Sequence, residues 1–405
     1  MDRITPPSGE RIRERYKQAV QHLREYHIKT FEGQPGPVVL ISTQYPGVWL
    51  EHAFDALCYA RLFPERPNAQ AVLRGEIDLF LDNQKEDGNL PFCVRDPAAS
   101  KWSFSNVAYA HIQECVSFGT ICLEAYGILR DLSFLEKAYR ALSKWDDWLC
   151  INRMTTDQGL IETFCLYDTG HDNSARFAGI PNACPDPEGK VIADGEGLPM
   201  LSPDMNAVFY GDRRALAEMA RLLGEPEEAE IWKERARNVR DKMFELLYDK
   251  EDAFFYDRYV HVNLHKIRNI SITNVFTEHM LTQAEFDEIY YRHFRNPEEF
   301  GTEFPFPSMA VNAPETAGHA DRNCWGYYSQ ALTALRCMRW MDDYGQTRDY
   351  NRLLRAWVDG IAAQEGRIFT QELDPMTGRA TECSEWYSSA MLLYIYAVRR
   401  LGLLA

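Results

Sequence analysis

Apolar residues recur every three to four positions through most of the 405-residue chain, which is the spacing of amphipathic helices. Runs that fit a strand are few and short, near 253–262 and 367–370. The chain is therefore predicted to be all-α. The pattern predicts helices over about 9–28, 49–63, 69–84, 106–130, 133–150, 204–223, 226–246, 281–292, 325–344, 347–364 and 385–402.

The ends of one predicted helix pair can be read directly. Ser202-Pro203-Asp204 precedes one helical run, and Gly224 with Pro226 separates that run from the next. Glycine after a helix and proline in the first turn are typical end signals. The segment therefore predicts two consecutive helices joined by a tight turn.

The connections between predicted helices are alternately short and long. Three long ones, 151–203, 293–324 and 365–384, are rich in polar and aromatic residues. Long connections inside a compact domain are usually functional. We therefore expect one domain, residues 1–405, in which helix pairs form a ring with long loops at one end.

Composition narrows the classes of partner. Hydrophobic residues make up 45% of the chain, enough for a sizeable core, and the net charge of −16 argues against nucleic acid or an anionic membrane as the main partner. The ten cysteines show neither CxxC pairs nor zinc spacing, and no run approaches 18 apolar residues. With no signal-peptide pattern in the first residues, we expect reduced thiols and a cytoplasmic location. The acidic net charge favours a neutral or small ligand.

Carboxylates and aromatic residues occur together in three segments, YDTGHDNSARF (167–177), FTQELDPMTG (369–378) and ATECSEWYSSA (380–390), and again in GVWLEHAF (47–54). Aromatic rings stack on sugars while charged acceptors bind their hydroxyls, and glycoside hydrolysis uses two carboxyl groups. Taken singly, each residue has an ordinary structural explanation, such as a turn aspartate, a core tryptophan or a solvated glutamate.

YDTGHDNSARF resembles the W/Y-D-S/T-G-x-D-N-S-x-R segment of glycoside hydrolase family 63 and its trehalase-like relatives. Further similar segments follow the family's order and cover about residues 45 to 400: GVWLEHAFDAL, LFLDNQKEDGNLP, HIQE around Gln113, SPDMNAVFYGDRRALAEMARLLGEPEEAEIWKERA, DPMTG and EWYSSAMLLYIY. The resemblance implies an (α/α)6 barrel and inverting glycosidase chemistry, with no metal or organic cofactor. It also implies that Asp172 is the general acid.

The sequence departs from the family at the base. The family's catalytic glutamate stands four residues before the proline of P-x-T-G, where this chain has Gln371. An amide cannot usefully accept a proton, so we expect Glu372 to activate water, with Glu382 as the reserve. RNCWGYY (322–328) is also one residue longer than the family's R-G-x-x-W-P segment, which predicts a remodelled sugar subsite.

The resemblance also predicts the residues that hold the sugar. Arg176 is expected to bind substrate or another carboxylate, because its charge would lower the pKa of Asp172 if it pointed at that group. The predicted substrate-binding residues are Trp49, Glu51, His52, Gln113, Asn173, Arg176, Arg322, Trp325, Gln371 and Trp386.

Three other functions stay open at this stage. An inverting phosphorylase needs no base, because phosphate carries its own charge, and Arg322 and His319 would then bind it. A sugar 2-epimerase and a non-catalytic sugar-binding protein are the others. The favoured substrate is a small α-glucoside or α-mannoside, as for the mannosylglycerate and glucosylglycerate hydrolases that the chain resembles. No heptad pattern indicates an oligomeric state.

Overall fold

The computed structural model describes residues 3–98, 106–260, 264–318 and 323–405. Helix is the main regular structure in these residues, as predicted. The α-helices are α1 Gly9–His22, α2 Ala53–Leu62, α3 Ala69–Asp82, α4 Phe118–Leu129, α5 Leu132–Asn152, α6 Pro203–Leu223, α7 Pro226–Leu246, α8 Thr273–Thr277, α9 Gln283–Ile289, α10 Ala331–Arg336, α11 Thr347–Ala363 and α12 Ser388–Arg400.

The all-α prediction is corrected by small antiparallel sheets between the helices. Their strands have only two or three residues, too short to leave an alternating pattern in the sequence. The strands are β1 Ile28–Thr30, β2 Pro37–Val39, β3 Gly47–Trp49, β4 Cys93–Arg95, β5 Val107–Ala108, β6 Glu162–Thr163, β7 Met200–Leu201, β8 Tyr248–Asp249, β9 Phe254–Phe255, β10 Asp257–Tyr259, β11 Leu264–His265, β12 Ser329–Gln330 and β13 Glu372–Leu373. Their orders are β1-β2, β3-β4-β5, β11-β10-β7-β6, β8-β9 and β12-β13.

The helices pack in a regular order. α2, α4, α6 and α8 lie side by side in that sequence, and α12 packs against both α10 and α2. The helices α3, α5, α7 and α11 each pack against a chain neighbour in this set. One connected hydrophobic core extends from Ile12 to Val398.

Helix boundaries were predicted best where capping residues mark them. Gly224 ends α6 in the left-handed conformation (φ 86°), and its N–H donates to the carbonyls of Ala220 and Arg221. Pro226 then begins α7, as the sequence indicated.

Two predicted helices were wrong in extent, and one helix was missed. The run at 106–130 becomes helical only at Phe118, and the run at 325–344 holds the short α10 followed by a 3-10 turn. The short helix α8 was not predicted. Within the described ranges, no helix has the length and apolar character needed to cross a membrane.

Candidate active site

A polar cavity of about 100 Å³ lies where the segments preceding α2, α4, α10 and α12 meet the 167–177 loop. Seven of the predicted site residues line it: Trp49, Glu51, His52, Gln113, Asp172, Trp325 and Gln371. Six further residues complete the wall: Ile41, Tyr45, Gly170, Asn323, Leu332 and Tyr387. Segments far apart in the chain therefore converge on one site.

Asp172 presents its carboxyl group to this cavity. Burial raises the pKa of Asp172 to about 6, although a hydrogen bond from Asn323 Nδ2 to Oδ2, 2.6 Å long, acts in the opposite direction. The backbone N–H of Trp325 donates to the carbonyl of Asp172 at 2.9 Å. Asp172 can therefore carry a proton near neutral pH, beside an aromatic wall.

The loop that carries Asp172 is anchored by a buried ion pair. Arg153 donates to the two oxygens of Asp168 at 2.5 and 3.0 Å, and both side chains are fully buried. Asp168 Oδ1 also accepts the N–H of Ile112, and its carbonyl accepts the N–H of Gln113. The same aspartate therefore fixes the 167–177 loop and the Gln113 segment relative to each other.

An amide chain links Asp172 with Gln371. Gln371 Nε2 donates to Asn323 Oδ1 at 3.2 Å, while Asn323 Nδ2 donates to Asp172. Asn323 is held in the left-handed region at φ 43°, which is costly outside glycine and is often found at functional sites. Sequence reasoning missed Asn323, although it stands in the RNCWGYY segment that departs from the family.

The predicted bases do not reach the cavity. Gln371 lines the cavity just before strand β13 begins at Glu372, and the Glu372 side chain is not part of the cavity wall. The buried Glu372 carboxylate accepts hydrogen bonds from Cys324 N–H, Gln330 Nε2 and Thr381 Oγ1 at 2.7–3.0 Å. Glu382 is exposed. The geometry therefore supports neither glutamate as the group that activates water.

Arg176 lies in a buried ionic cluster rather than in the cavity wall. Its guanidinium donates to both oxygens of Asp204 and both oxygens of Asp257 at 2.7–3.0 Å. Nη1 also lies 3.0 Å from Nδ1 of His171, whose ring stacks on Trp325 at 4.3 Å. Two roles were expected for Arg176, binding of carboxylates and binding of substrate, and the structure favours the first.

Two further predicted substrate residues, Trp386 and Asn173, are not part of the cavity wall. Trp386 stacks on His22 with ring centroids 3.9 Å apart, and the next residue, Tyr387, lines the cavity in its place. Asn173 is exposed and donates to the carbonyl of Asn323. Arg322, and His319 of the phosphate hypothesis, lie outside the described residues.

Glu51 and His52 line the cavity from the 3-10 turn between β3 and α2. His52 Nδ1 lies 3.3 Å from Glu51 Oε1, and His52 Nε2 lies 2.5 Å from the hydroxyl of Tyr387. Burial lowers the pKa of His52 well below its ordinary value, so the ring is neutral, and its tautomer decides whether Nε2 accepts from or donates to the tyrosine hydroxyl. The three side chains form one polar row along the wall.

One group of possible metal ligands lies among the described residues, at the start of the 167–177 loop. Cys165, Asp168 and Cys184 are buried within 4.8 Å of one another. However, the Asp168 carboxylate already accepts two bonds from Arg153 and the N–H groups of Ile112 and Phe164. A cation would have to compete with the Arg153 guanidinium for this carboxylate, so the group does not fit a metal.

We expect Gly170→Ala to impair the site more than a matched glycine substitution. Gly170 has φ +70°, and an added Cβ would lie 2.6 Å from Glu51 Oε2. The backbone strain alone costs about 1–2 kcal/mol. Gly179 in the same connection has φ +81° with no atom within 4 Å of an added Cβ. Urea unfolding should show a similar loss of stability in both variants, whereas sugar binding should be lost only in Gly170→Ala. Equal sugar binding by the two variants would contradict this.

A mainly helical fold that places a buried carboxyl group and tryptophan rings in one polar cavity is the arrangement of a carbohydrate-cleaving enzyme. The family model of the mannosylglycerate hydrolase MGH1-like glycoside hydrolase domain matches residues 51–389. The chain belongs to this family, which confirms the resemblance found in the motifs.

Curated relatives match over part of their length. A mannosylglycerate hydrolase of Rubrobacter radiotolerans is 25% identical over 307 residues, covering 60% of this chain and 66% of the relative. An uncharacterised protein of Borreliella burgdorferi is 23% identical over 132 residues, covering 33% of this chain and 27% of the relative. The chain thus spans just under two thirds of the first relative.

Solved structures share the fold. A family 63 mannosylglycerate hydrolase from Thermus thermophilus, in complex with glucose, superposes with a TM-score of 0.70 at 18% identity, covering 94% of this chain and 99% of that one. The neutral trehalase of Saccharomyces cerevisiae gives a TM-score of 0.69 at 15% identity, covering 91% of this chain and 75% of that one. At these identities the likeness concerns the fold alone.

Proposed function

We propose that this chain is an inverting glycoside hydrolase that cleaves a small α-glucoside or α-mannoside, with Asp172 as the general acid. The observation that carries the proposal is the cavity-facing carboxyl group of Asp172, whose pKa burial raises to about 6. A general acid works best when its pKa lies near the working pH. Family membership supports the same reaction class.

The packing order of the helices supports the (α/α)6 barrel as the frame of this site. α2, α4, α6 and α8 would form one arc of an inner ring, and α10 and α12 the other, with α12 meeting α2. The segments that line the cavity precede α2, α4, α10 and α12, so they would gather at one mouth of the barrel. We propose a single domain on this basis.

The cavity wall offers what a sugar needs. The rings of Trp49 and Trp325 supply apolar faces, and the amide of Gln113 and the hydroxyl of Tyr387 supply hydrogen bonds. A small α-mannoside or α-glucoside is favoured because the matching family and the Rubrobacter relative bear the name mannosylglycerate hydrolase, and the Thermus enzyme was solved with glucose. The cytoplasmic location remains a prediction.

Gln371 favours one second candidate, an inverting phosphorylase. Phosphate attacks without a base, and an amide stands where the family has a glutamate. Among the described residues that line the cavity, none is an arginine or a lysine that would hold a phosphate. Hydrolysis is therefore the first candidate.

Anomeric product analysis distinguishes the candidates. The protein is incubated with a panel of small α-glucosides and α-mannosides, with and without phosphate, and the products are followed by proton NMR. We expect the β-anomer of the free sugar to appear first, without phosphate. Sugar 1-phosphate formed only with phosphate would establish the phosphorylase, an epimerised free sugar the epimerase, and binding without turnover the sugar-binding protein.

A further inference from the structure

Hydrolysis with inversion needs a second carboxyl group to take the proton of the attacking water. Of the described residues that line the cavity, two carry a carboxyl group, Asp172 and Glu51. Gln371 carries an amide, and the Glu372 carboxylate is held outside by three hydrogen bonds. Among the described residues of the wall, Glu51 is therefore the remaining carboxyl group that can accept this proton.

Buried polar and charged groups surround Glu51. Its side chain is 12% exposed, with Oε1 beside His52 Nδ1 at 3.3 Å. His52 is fixed in turn by the hydroxyl of Tyr387. The guanidinium of Arg336 donates to the backbone carbonyl of Glu51 at 2.6 Å, which places a buried positive charge next to the turn.

We propose that Glu51 is the second catalytic carboxyl group and accepts the proton of the attacking water in place of the missing base at position 371. This inference rests on the proposed function. Glu51 was expected only to bind the sugar. The reaction then proceeds within a pair of carboxyl groups that belong to two distant segments, the turn before α2 and the 167–177 loop.

The step balances within this pair. The water oxygen forms a bond to the anomeric carbon while the glycosidic C–O bond breaks, and the electron pair of that bond goes to the leaving oxygen. Asp172 gives its proton to the leaving oxygen, and Glu51 takes a proton from the water. The products are a free sugar and an alcohol. One proton has passed from Asp172 to Glu51, and exchange with solvent restores the starting state.

The charges around Glu51 couple its ionisation to that of Asp172. Burial raises the pKa of Glu51 to about 8; Arg336 acts to lower this pKa, and the negative charge of Asp172 acts to raise it. When Asp172 holds a proton, its repulsion is absent and the charge of Arg336 remains, which favours ionised Glu51. The described titratable or charged groups facing Glu51 are His52, Asp55, Cys93, Cys115, Asp172, Arg336 and Tyr387.

This coupling predicts a bell-shaped pH dependence of kcat/KM with limbs near 6 and 8. Below about pH 6 both groups hold protons and no acceptor is present. Above about pH 8 both are ionised and no donor is present. Between the limbs the pair holds one proton, which these pKa values place mainly on Glu51; the reactive form, with that proton on Asp172 and Glu51 ionised, is the minor one. The limbs therefore belong to the pair rather than to either residue.

The decisive variants are Glu51→Gln and the double variant Glu51→Gln with Gln371→Glu. We expect Glu51→Gln to lower kcat by about 10²–10⁴-fold. Azide, which needs no deprotonation, should restore turnover and give a glycosyl azide, and the rescued reaction should lack the acidic limb. The double variant should recover hydrolysis because a carboxylate again stands in the cavity. Glu365→Gln, with a side chain 93% exposed, is the matched control and should behave as wild type.

The outcomes separate this inference from the proposed function. If the wild type cleaves substrate and Glu51→Gln cleaves it equally well, Glu51 is not the base. The same follows if Glu51→Gln is inactive with an unchanged melting temperature and neither azide nor Gln371→Glu restores turnover. Both results overturn the role of Glu51 and leave hydrolysis intact. If Glu372→Gln loses hydrolysis and azide restores turnover, the base is Glu372 instead. Absence of cleavage by the wild type would overturn both.

Discussion

Replacing Asp172 by asparagine should lower kcat/KM for alkyl glycosides by about 10²–10⁴-fold, because the leaving oxygen then receives no proton. The change is nearly isosteric, and the carbonyl of the new amide can still accept the hydrogen bond from Asn323. We therefore expect the thermal stability and the affinity for the free sugar to change little. Initial rates and calorimetric binding of the sugar measure the two effects separately.

The matched control is Asp157→Asn, an exposed aspartate earlier in the same long connection. It should keep wild-type kinetics. If Asp172→Asn loses sugar affinity and rate by the same factor, Asp172 acts as a binding group. If Asp172→Asn keeps the wild-type rate, Asp172 has no catalytic role.

Arg176→Met should lower the free energy of unfolding by about 3–5 kcal/mol, because it leaves the buried carboxylates of Asp204 and Asp257 without their cation. Loss of the guanidinium removes the charge that favours their ionised forms, so the pKa of both groups rises. Protonation at low pH then relieves their repulsion, so the deficit should be smaller at pH 5 than at pH 8. Urea unfolding at the two pH values measures this.

The control for this substitution is Arg221→Met, which breaks an exposed pair with Glu218 and should leave the stability nearly unchanged. A stable Arg176→Met variant that loses only substrate affinity would contradict the structural assignment and restore Arg176 to the substrate site.

Motif order predicted which segments meet, but packing decided which side chains face the cavity. The family pattern singled out Asp172, Trp49 and Trp325, and all three line the cavity, while their roles stay predictions. Glu372 does not line it, because its carboxylate is held by hydrogen bonds from Cys324, Gln330 and Thr381. The prediction for Trp386 also placed the wrong side chain at the cavity, since the following Tyr387 lines it and Trp386 packs on His22.

The fold shows a similar division. Long amphipathic helices with capping residues, such as α6 and α7, were predicted almost to the residue because the local pattern determines them. The short strands, the short helix α8 and the left-handed conformation of Asn323 depend on tertiary contacts, which leave no periodic pattern in the sequence.

Asp172 is proposed to donate a proton to the leaving group. The most direct test compares the hydrolysis of a methyl α-glycoside and the corresponding α-glycosyl fluoride by the wild type and Asp172→Asn, since fluoride departs without protonation. We expect Asp172→Asn to lose its activity on the methyl glycoside and to keep most of its activity on the fluoride. An equal loss on both substrates would contradict proton donation by Asp172.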